Sequence, residues 1–335
     1  MTPGDRQQRD VSTRTDGSEH SPLSTPAPTT EARASRTETV AFESRGVQCE
    51  ADLHLPTGRE QPWPAVVMAH GFGGARSWGL GAFAERFAEA GLAAFVFDYR
   101  HLGGSSGTPR RLIDADRQLD DWAAALAFTR ALDVVDADRV ALWGMSFGGG
   151  HALEIARRDP DVAAVVAQVP FVDGSATIAH QSRNRGSLER ARLAALAIAD
   201  RFSAAVGRGP IEVPIVTEPG EGGLLDTPGA FSGFRSVVPA GEQLVNRTPA
   251  RVVLDLHSYR PGRHADQIDA PVHVVVAEND RLLPLAATER LLDRLPDSHV
   301  HRVPARHFDV HHGPWFEPVV DEQVAFLADA VSPDS

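Results

Sequence analysis

Arg139-Val140-Ala141-Leu142-Trp143-Gly144-Met145-Ser146-Phe147-Gly148-Gly149-Gly150 joins three kinds of structure in twelve residues. Residues 139–143 form a short apolar run of strand length, and residues 147–158 carry a helical pattern. Between them Gly144-Met145-Ser146-Phe147-Gly148 is a G-x-S-x-G pentapeptide in a strand–turn–helix context. Such a corner lifts the serine hydroxyl clear of the backbone. Glycine two positions to either side keeps side chains out of the space where strand and helix converge. The N–H of Phe147, the first residue of the helix, has no partner within the helix and is free to face an anion. Ser146 is therefore the candidate nucleophile, and the Phe147 N–H a candidate oxyanion donor.

On either side the chain repeats the same alternation. Residues 47–55 alternate apolar and polar, while 64–69, 92–97, 162–169, 272–277 and 300–303 are continuous apolar runs. Continuous runs suit strands covered on both faces, as in a parallel sheet. Helical patterns fill the intervals at 81–90, 112–132, 285–295 and 319–330. The expected class is α/β, a mostly parallel sheet flanked by helices. The interval after Pro170 runs about a hundred residues before the strand at Val272, too long for a plain crossover. It predicts a cap at 172–265 inserted over the carboxyl edge of the sheet, with helices at 187–206 and 244–259, the latter broken at Pro249, and an irregular stretch at 210–239. The core is then expected at 39–171 and 266–332.

The loop after the strand at 64–69 reads His70-Gly71-Phe72-Gly73-Gly74, and the Phe72 N–H is the expected second oxyanion donor. A dinucleotide fingerprint would need glycine where Arg76 stands. His70 reads as a residue bracing this loop.

These segments resemble the α/β-hydrolase family. The residues that carry the resemblance are His70-Gly71-Phe72-Gly73-Gly74, Phe97-Asp98-Tyr99-Arg100 with Gly103-Gly104-Ser105, and Gly144-Met145-Ser146-Phe147-Gly148-Gly149. Glu278-Asn279-Asp280 with Pro284, and His307-Phe308-Asp309, complete the set. The resemblance covers roughly 40–332 and is nearest to bacterial esterases close to the dienelactone-hydrolase and X-Pro-dipeptidyl-peptidase-like groups. It implies an α/β-hydrolase fold and a Ser…Asp…His order. Of fourteen histidines, His307 follows the last expected strand and is the candidate base. Asp280 is the candidate acid, with Asp173 as the alternative and Asp309 as a carboxylate near the base. The implied chemistry is acyl transfer through Ser146, on a small-molecule ester or thioester, with no cofactor or metal. C–C or lactone hydrolysis, X-Pro peptide release, and a non-catalytic receptor are the other readings. Trp78, Phe171, Leu224, Leu225, Phe231, Phe234 and Trp315 are candidates for an apolar acyl pocket. Arg100, Arg183, Arg185 and Arg235 are candidates for holding a substrate anion.

Composition narrows the remaining classes. The 335 residues include 33 basic and 45 acidic side chains, a formal charge of −12, and every basic residue is arginine. Without lysine there is no Schiff base and no P-loop lysine. The acidic balance disfavours nucleic acid and anionic membrane surfaces. One cysteine, Cys49, allows neither an intrachain disulfide nor a cysteine zinc site, and the histidines near 299–312 lack the H-E-x-x-H spacing. Every apolar run falls far short of the ~20 residues that span a bilayer. No apolar signal-peptide stretch opens the chain, so the expected location is cytoplasmic, and a homodimer is permitted. Residues 1–38 are expected to be a disordered tail, since twelve of the twenty residues 11–30 are Ser, Thr or Pro.

Overall fold

The computed structural model describes residues 35–332. In chain order, strands β1 (Ser35–Ser44), β2 (Val47–Pro56) and β3 (Trp63–Ala69) precede helix α1 (Leu80–Ala90) and β4 (Ala93–Phe97). Then come α2 (Ala115–Arg130), β5 (Val135–Met145), α3 (Phe147–Arg158) and β6 (Val165–Gln168). The long interval holds α4 (Gly174–Gln181), α5 (Ser187–Ala205), β7 (Glu212–Pro214), α6 (Ala230–Ser236), β8 (Arg247–Pro249) and α7 (Val252–Leu256). The chain closes with β9 (Val272–Ala277), α8 (Leu285–Leu292), β10 (Ser298–Val303) and α9 (Phe316–Ala330). Eight strands form one sheet in the order β1-β2-β4-β3-β5-β6-β9-β10. All pairings from β4 through β10 are parallel, and β2 runs antiparallel to both β1 and β4.

The continuous apolar runs divide between two cores. In β3, Ala65, Val67 and Ala69 face one core while Val66 and Met68 face the other; in β5, Leu142 faces the first and Ala141 and Trp143 the second. This is the two-residue period of a strand covered on both sides. The first core takes Trp122 of α2 and Leu153 of α3, and the second takes Phe83 of α1 and Leu327 of α9. Local signals set the helix ends. Asp114 caps α2 by accepting from the Arg117 N–H, and Gly91 ends α1 in the left-handed conformation at φ 99°.

Three expectations need correction. Residues 35–38 belong to β1 rather than to a tail; positions 1–34 lie outside the described residues. β1 is an edge strand whose first five side chains are exposed or half-exposed, so its composition reads as tail while its backbone pairs from Ser35↔Pro56 to Ser44↔Val47. The stretch 210–239 contains β7 and α6, and the 244–259 piece is β8 followed by the short α7. β7 and β8 pair antiparallel over three residues each, too few to leave a period in the sequence. His311, among the histidines near 299–312, is buried. Among the described residues no helix is long and apolar enough to cross a membrane.

Several histidines are buried as neutral groups. Burial, then the neighbouring His299 and His301, lowers His273 to about 3; burial, then His70 and Arg158, lowers His151 to about 3. Burial, then His307 and His312, does the same to His311, also to about 3. An unfolded histidine titrates near 6.5, so between about pH 6.5 and 3 the unfolded chain binds more protons and stability falls as pH drops. Each such group contributes up to about 1.4 kcal/mol per pH unit in that window. His273 stacks on His299 at 5.0 Å and lies 5.3 Å from Phe326, and neither of its ring nitrogens is hydrogen-bonded among the described residues. His273→Phe is expected to stabilise the protein at neutral pH and to flatten its loss of stability from pH 6 to 4, read by urea unfolding at a series of pH values.

Candidate active site

Strand β5 ends at Met145 and α3 begins at Phe147, so Ser146 is the whole corner. Its backbone sits at φ 53°, ψ −115°, a sparsely populated region that costs on the order of 1–3 kcal/mol. Three hydrogen bonds hold it there. The Ser146 N–H donates to the Gln168 carbonyl at 2.8 Å, while the Ser146 carbonyl accepts from the N–H groups of Phe171 at 2.8 Å and Gly150 at 3.1 Å.

The glycines around Ser146 are required by packing. A Cβ on Gly144 would collide with the Gly148 carbonyl, and one on Gly150 with the Phe171 carbonyl. A Cβ on Gly148 would lie 2.6 Å from the His70 carbonyl oxygen and 2.7 Å from that of Ala69. One on Gly71 would lie 3.1 Å from the Ser146 Cβ, which places the loop after β3 directly against the serine. Phe72 and Phe147, the residues of the two expected oxyanion donors, pack their rings edge to face at 5.4 Å. The buried His70 stands edge-on to Tyr99 at 4.7 Å, whose hydroxyl donates to the His70 carbonyl at 3.3 Å, so this loop is braced from below.

His307 follows β10 and is almost wholly buried. Its Nε2 lies 3.1 Å from Ser146 Oγ and its Nδ1 lies 2.7 Å from Asp280 Oδ2. The other Asp280 oxygen accepts from the N–H groups of Leu282 at 2.7 Å and Leu283 at 3.0 Å. Asp280 is thus fixed from both sides and holds a proton on Nδ1, which leaves Nε2 as an acceptor toward the serine. Asp173 is engaged elsewhere: it caps α4 through Ala176 N–H at 3.0 Å and Ser175 Oγ at 2.8 Å. Asp309 is paired with Arg306 at 2.9 Å.

A buried polar chain secures the loop that carries His307. Trp143 Nε1 donates to Gln323 Oε1 at 2.9 Å, Gln323 Nε2 to Gln168 Oε1 at 2.6 Å, and Gln168 Nε2 to His311 Nδ1 at 2.7 Å. Gln168 therefore ties the serine corner, through its carbonyl, to the histidine loop, through its amide.

A cavity of about 320 Å³ opens at Ser146. Phe72, Phe147 and Phe171 line it from the core, Leu193 and Leu256 from the inserted segment, and Leu282 and Leu283 from the loop beside Asp280. Leu224 and Leu225 join them. Trp78 and Phe234 line a smaller adjoining cavity that also reaches Ser146. Two expectations fail here. Phe231 packs at the edge of the first core and Trp315 against the second, and neither lines either cavity. Arg100 is buried against Asp121 at 2.7 Å, and Arg185, at the cavity wall, is held by Asp226 at 2.8 Å, so both are already neutralised. The sequence reading missed Leu193 of α5 and Leu256 of α7, whose only signal is their place on an inward helix face, and Leu282 and Leu283, which stand two and three residues after Asp280.

A strand–serine–helix corner above a mostly parallel sheet, with a histidine and an aspartate from later loops, is the layout of an α/β hydrolase. The chain belongs to that family, whose model matches residues 66–325. It is 41% identical over 288 residues to the quorum-quenching protein AidA of Acinetobacter baumannii (strain MDR-ZJ06), covering 86% of this chain and 93% of that protein. It is 28% identical over 273 residues to a thiohydrolase of Eupenicillium brefeldianum, covering 79% and 85%. The crystal structure of the α/β hydrolase GrgF from Penicillium sp. sh18 superposes with a TM-score of 0.74 at 25% identity, covering 88% of this chain and 99% of that one.

Two glycines test the packing argument in opposite directions. Gly148→Ala is expected to lower stability by about 1–3 kcal/mol, because its methyl group meets the backbone carbonyls of Ala69 and His70. Gly81→Ala, in α1 with no atom near its Cβ position, is expected to leave stability unchanged or raise it by up to about 1 kcal/mol. Thermal unfolding of both variants checks the pair.

Proposed function

We propose that this chain is a serine hydrolase that cleaves a carboxylic ester or thioester through an acyl-serine intermediate, with a small-molecule acyl compound as substrate. The observation that carries the reading is the continuous hydrogen-bonded line from Ser146 Oγ through His307 to Asp280. A serine hydroxyl is a weak nucleophile until a neighbouring imidazole takes its proton. In this mechanism Ser146 Oγ attacks the acyl carbon as its proton passes to His307 Nε2. Asp280 holds the ring in register and stabilises its charged form. The N–H groups of Phe72 and Phe147 receive the oxyanion. The alcohol or thiol leaves with the proton from His307. Water, deprotonated by the same nitrogen, then attacks the acyl-enzyme and releases the acid, restoring Ser146.

The lining favours an apolar acyl group, because leucines and phenylalanines surround the serine. Its charged members are Arg185 and Arg190, with no carboxylate. A free substrate amine would have no counter-charge there, which weighs against X-Pro peptide release. The thiohydrolase relative favours a thioester among the bonds this arrangement could cleave.

Hydrolysis of ester and thioester series of graded acyl length tests the reading. Ser146→Ala and His307→Ala are each expected to lower kcat by at least ~10³-fold and Asp280→Asn by roughly 10²–10⁴-fold. The Ser146→Ala/His307→Ala double variant should be no worse than either single one, as expected of groups acting as a unit. Wild-type turnover by Ser146→Ala would overturn the mechanism. Leu193→Trp, which narrows the cavity, is expected to lower kcat/KM for long acyl chains at least ten-fold relative to acetyl, a dependence measured on the same series.

A further inference from the structure

A second cavity, of about 210 Å³, is built from different chemistry. Its walls come from Val172 and Asp173 after β6, from Arg260, Gly262 and Arg263 before β9, and from Ala287, Arg290 and Leu291 of α8 with Arg294 just after it. Four exposed arginines thus line one space with a single carboxylate. That carboxylate is committed, since Asp173 Oδ1 caps α4 and stands 3.8 Å from Arg260 Nε. Among the described residues, the side chains of Arg263 and Arg294 have no hydrogen-bond or ion-pair partner, and Arg290 acts on Asp173 only through its charge, without a hydrogen bond. Several buried or half-buried arginines elsewhere are matched closely. Arg76 meets Glu50, Asp52 and Asp98, and Arg251 meets Asp200 at 2.7 Å. On α8 Glu289 pairs with Arg302 at 2.8 Å, while Arg290, and Arg294 just beyond the helix, line the cavity.

In a chain of net charge −12, such a surplus of cation in one recess is a local reversal of sign. The negative end of α8 accounts for Arg290 and Arg294 taken singly. It does not account for Arg260 and Arg263 converging on them from a separate element. Planar guanidinium groups suit phosphate oxygens, which they bind in forked pairs. We propose that this recess is a binding site for a phosphate or pyrophosphate group, distinct from the Ser146 cavity. None of its residues lines that cavity, and the two lie on either side of Phe171-Val172-Asp173. The assignment does not depend on the role of Ser146.

Isothermal titration of the full chain with pyrophosphate and with inorganic phosphate, in buffer free of both, reads the site. Saturable binding is expected that weakens as salt rises and falls at least ten-fold in Arg290→Gln/Arg294→Gln. A second pair on the other wall, Arg260→Gln/Arg263→Gln, should fall likewise, and Arg208→Gln, an exposed arginine outside the cavity, should bind as wild type does. No saturable binding by the wild type, or wild-type affinity in either double variant, overturns the site. Adding pyrophosphate to hydrolysis assays separates two sources of the group. Competition against a thioester whose thiol carries a phosphate, with none against an uncharged ester, assigns the phosphate to the substrate. Competition against neither assigns it to a free ligand. Competition against the uncharged ester that survives Arg290→Gln/Arg294→Gln would place the anion at Ser146 and overturn the proposal.

Discussion

The backbone of Ser146 lies in a region that an L-residue enters only under constraint, and the architecture around it supplies that constraint. Its N–H is bonded to β6 and its carbonyl to the start of the following loop and to the first turn of α3. Release of any of these would let the corner relax toward ordinary φ and draw the hydroxyl away from His307. Strand order puts β6 in place to do this, because β5 pairs with β3 on one side and β6 on the other. The two-core division follows, since a central β5 must be covered on both faces. The glycines at 144, 148, 149 and 150 are the condition for β5, α3 and the neighbouring loops to meet so closely.

The same strand links the corner to the imidazole. Gln168 supplies a carbonyl to Ser146 and an amide to His311, four residues beyond His307. His311 is held neutral by burial, so it can accept that hydrogen bond at ordinary pH. The polar chain from Trp143 to His311 replaces apolar packing with directional bonds, and directional bonds fix a loop more narrowly than packing does. The inserted segment between β6 and β9 has a different task. Its Leu193 and Leu256 complete the wall of the Ser146 cavity, from the part of the chain with the least regular pattern.

Legibility in the sequence followed the same division. Alternation between apolar runs and helical stretches was sufficient to read the sheet, because β3, β4, β5, β6 and β9 are buried on both faces and carry continuous apolar residues. β1 was read as tail because an edge strand with exposed side chains is held by backbone bonds that composition does not record. Ser146 and Phe147 could be placed from one pentapeptide and its flanks. His307 and Asp280 required a resemblance, since fourteen histidines offer no choice by spacing alone, and the structure brings both to Ser146. The aromatic candidates divided: Phe171, Trp78 and Phe234 reach cavities at Ser146, whereas Phe231 and Trp315 pack against the cores. Aromatic character marks burial, and only tertiary structure separates a pocket wall from a core filler. His311 gave no signal as a buried residue because its partners, Gln168 and Gln323, are distant in sequence.

The central claim is that one hydroxyl, Ser146 Oγ, is the activated nucleophile of an active enzyme. A fluorophosphonate reacted with the wild-type protein, followed by digestion and mass analysis of the peptides, tests it most directly. The account predicts one phosphonyl group per chain, carried by the peptide containing Ser146, with loss of ester turnover in proportion to labelling. A folded enzyme that turns over esters yet takes no label, or takes it on another residue, would contradict it.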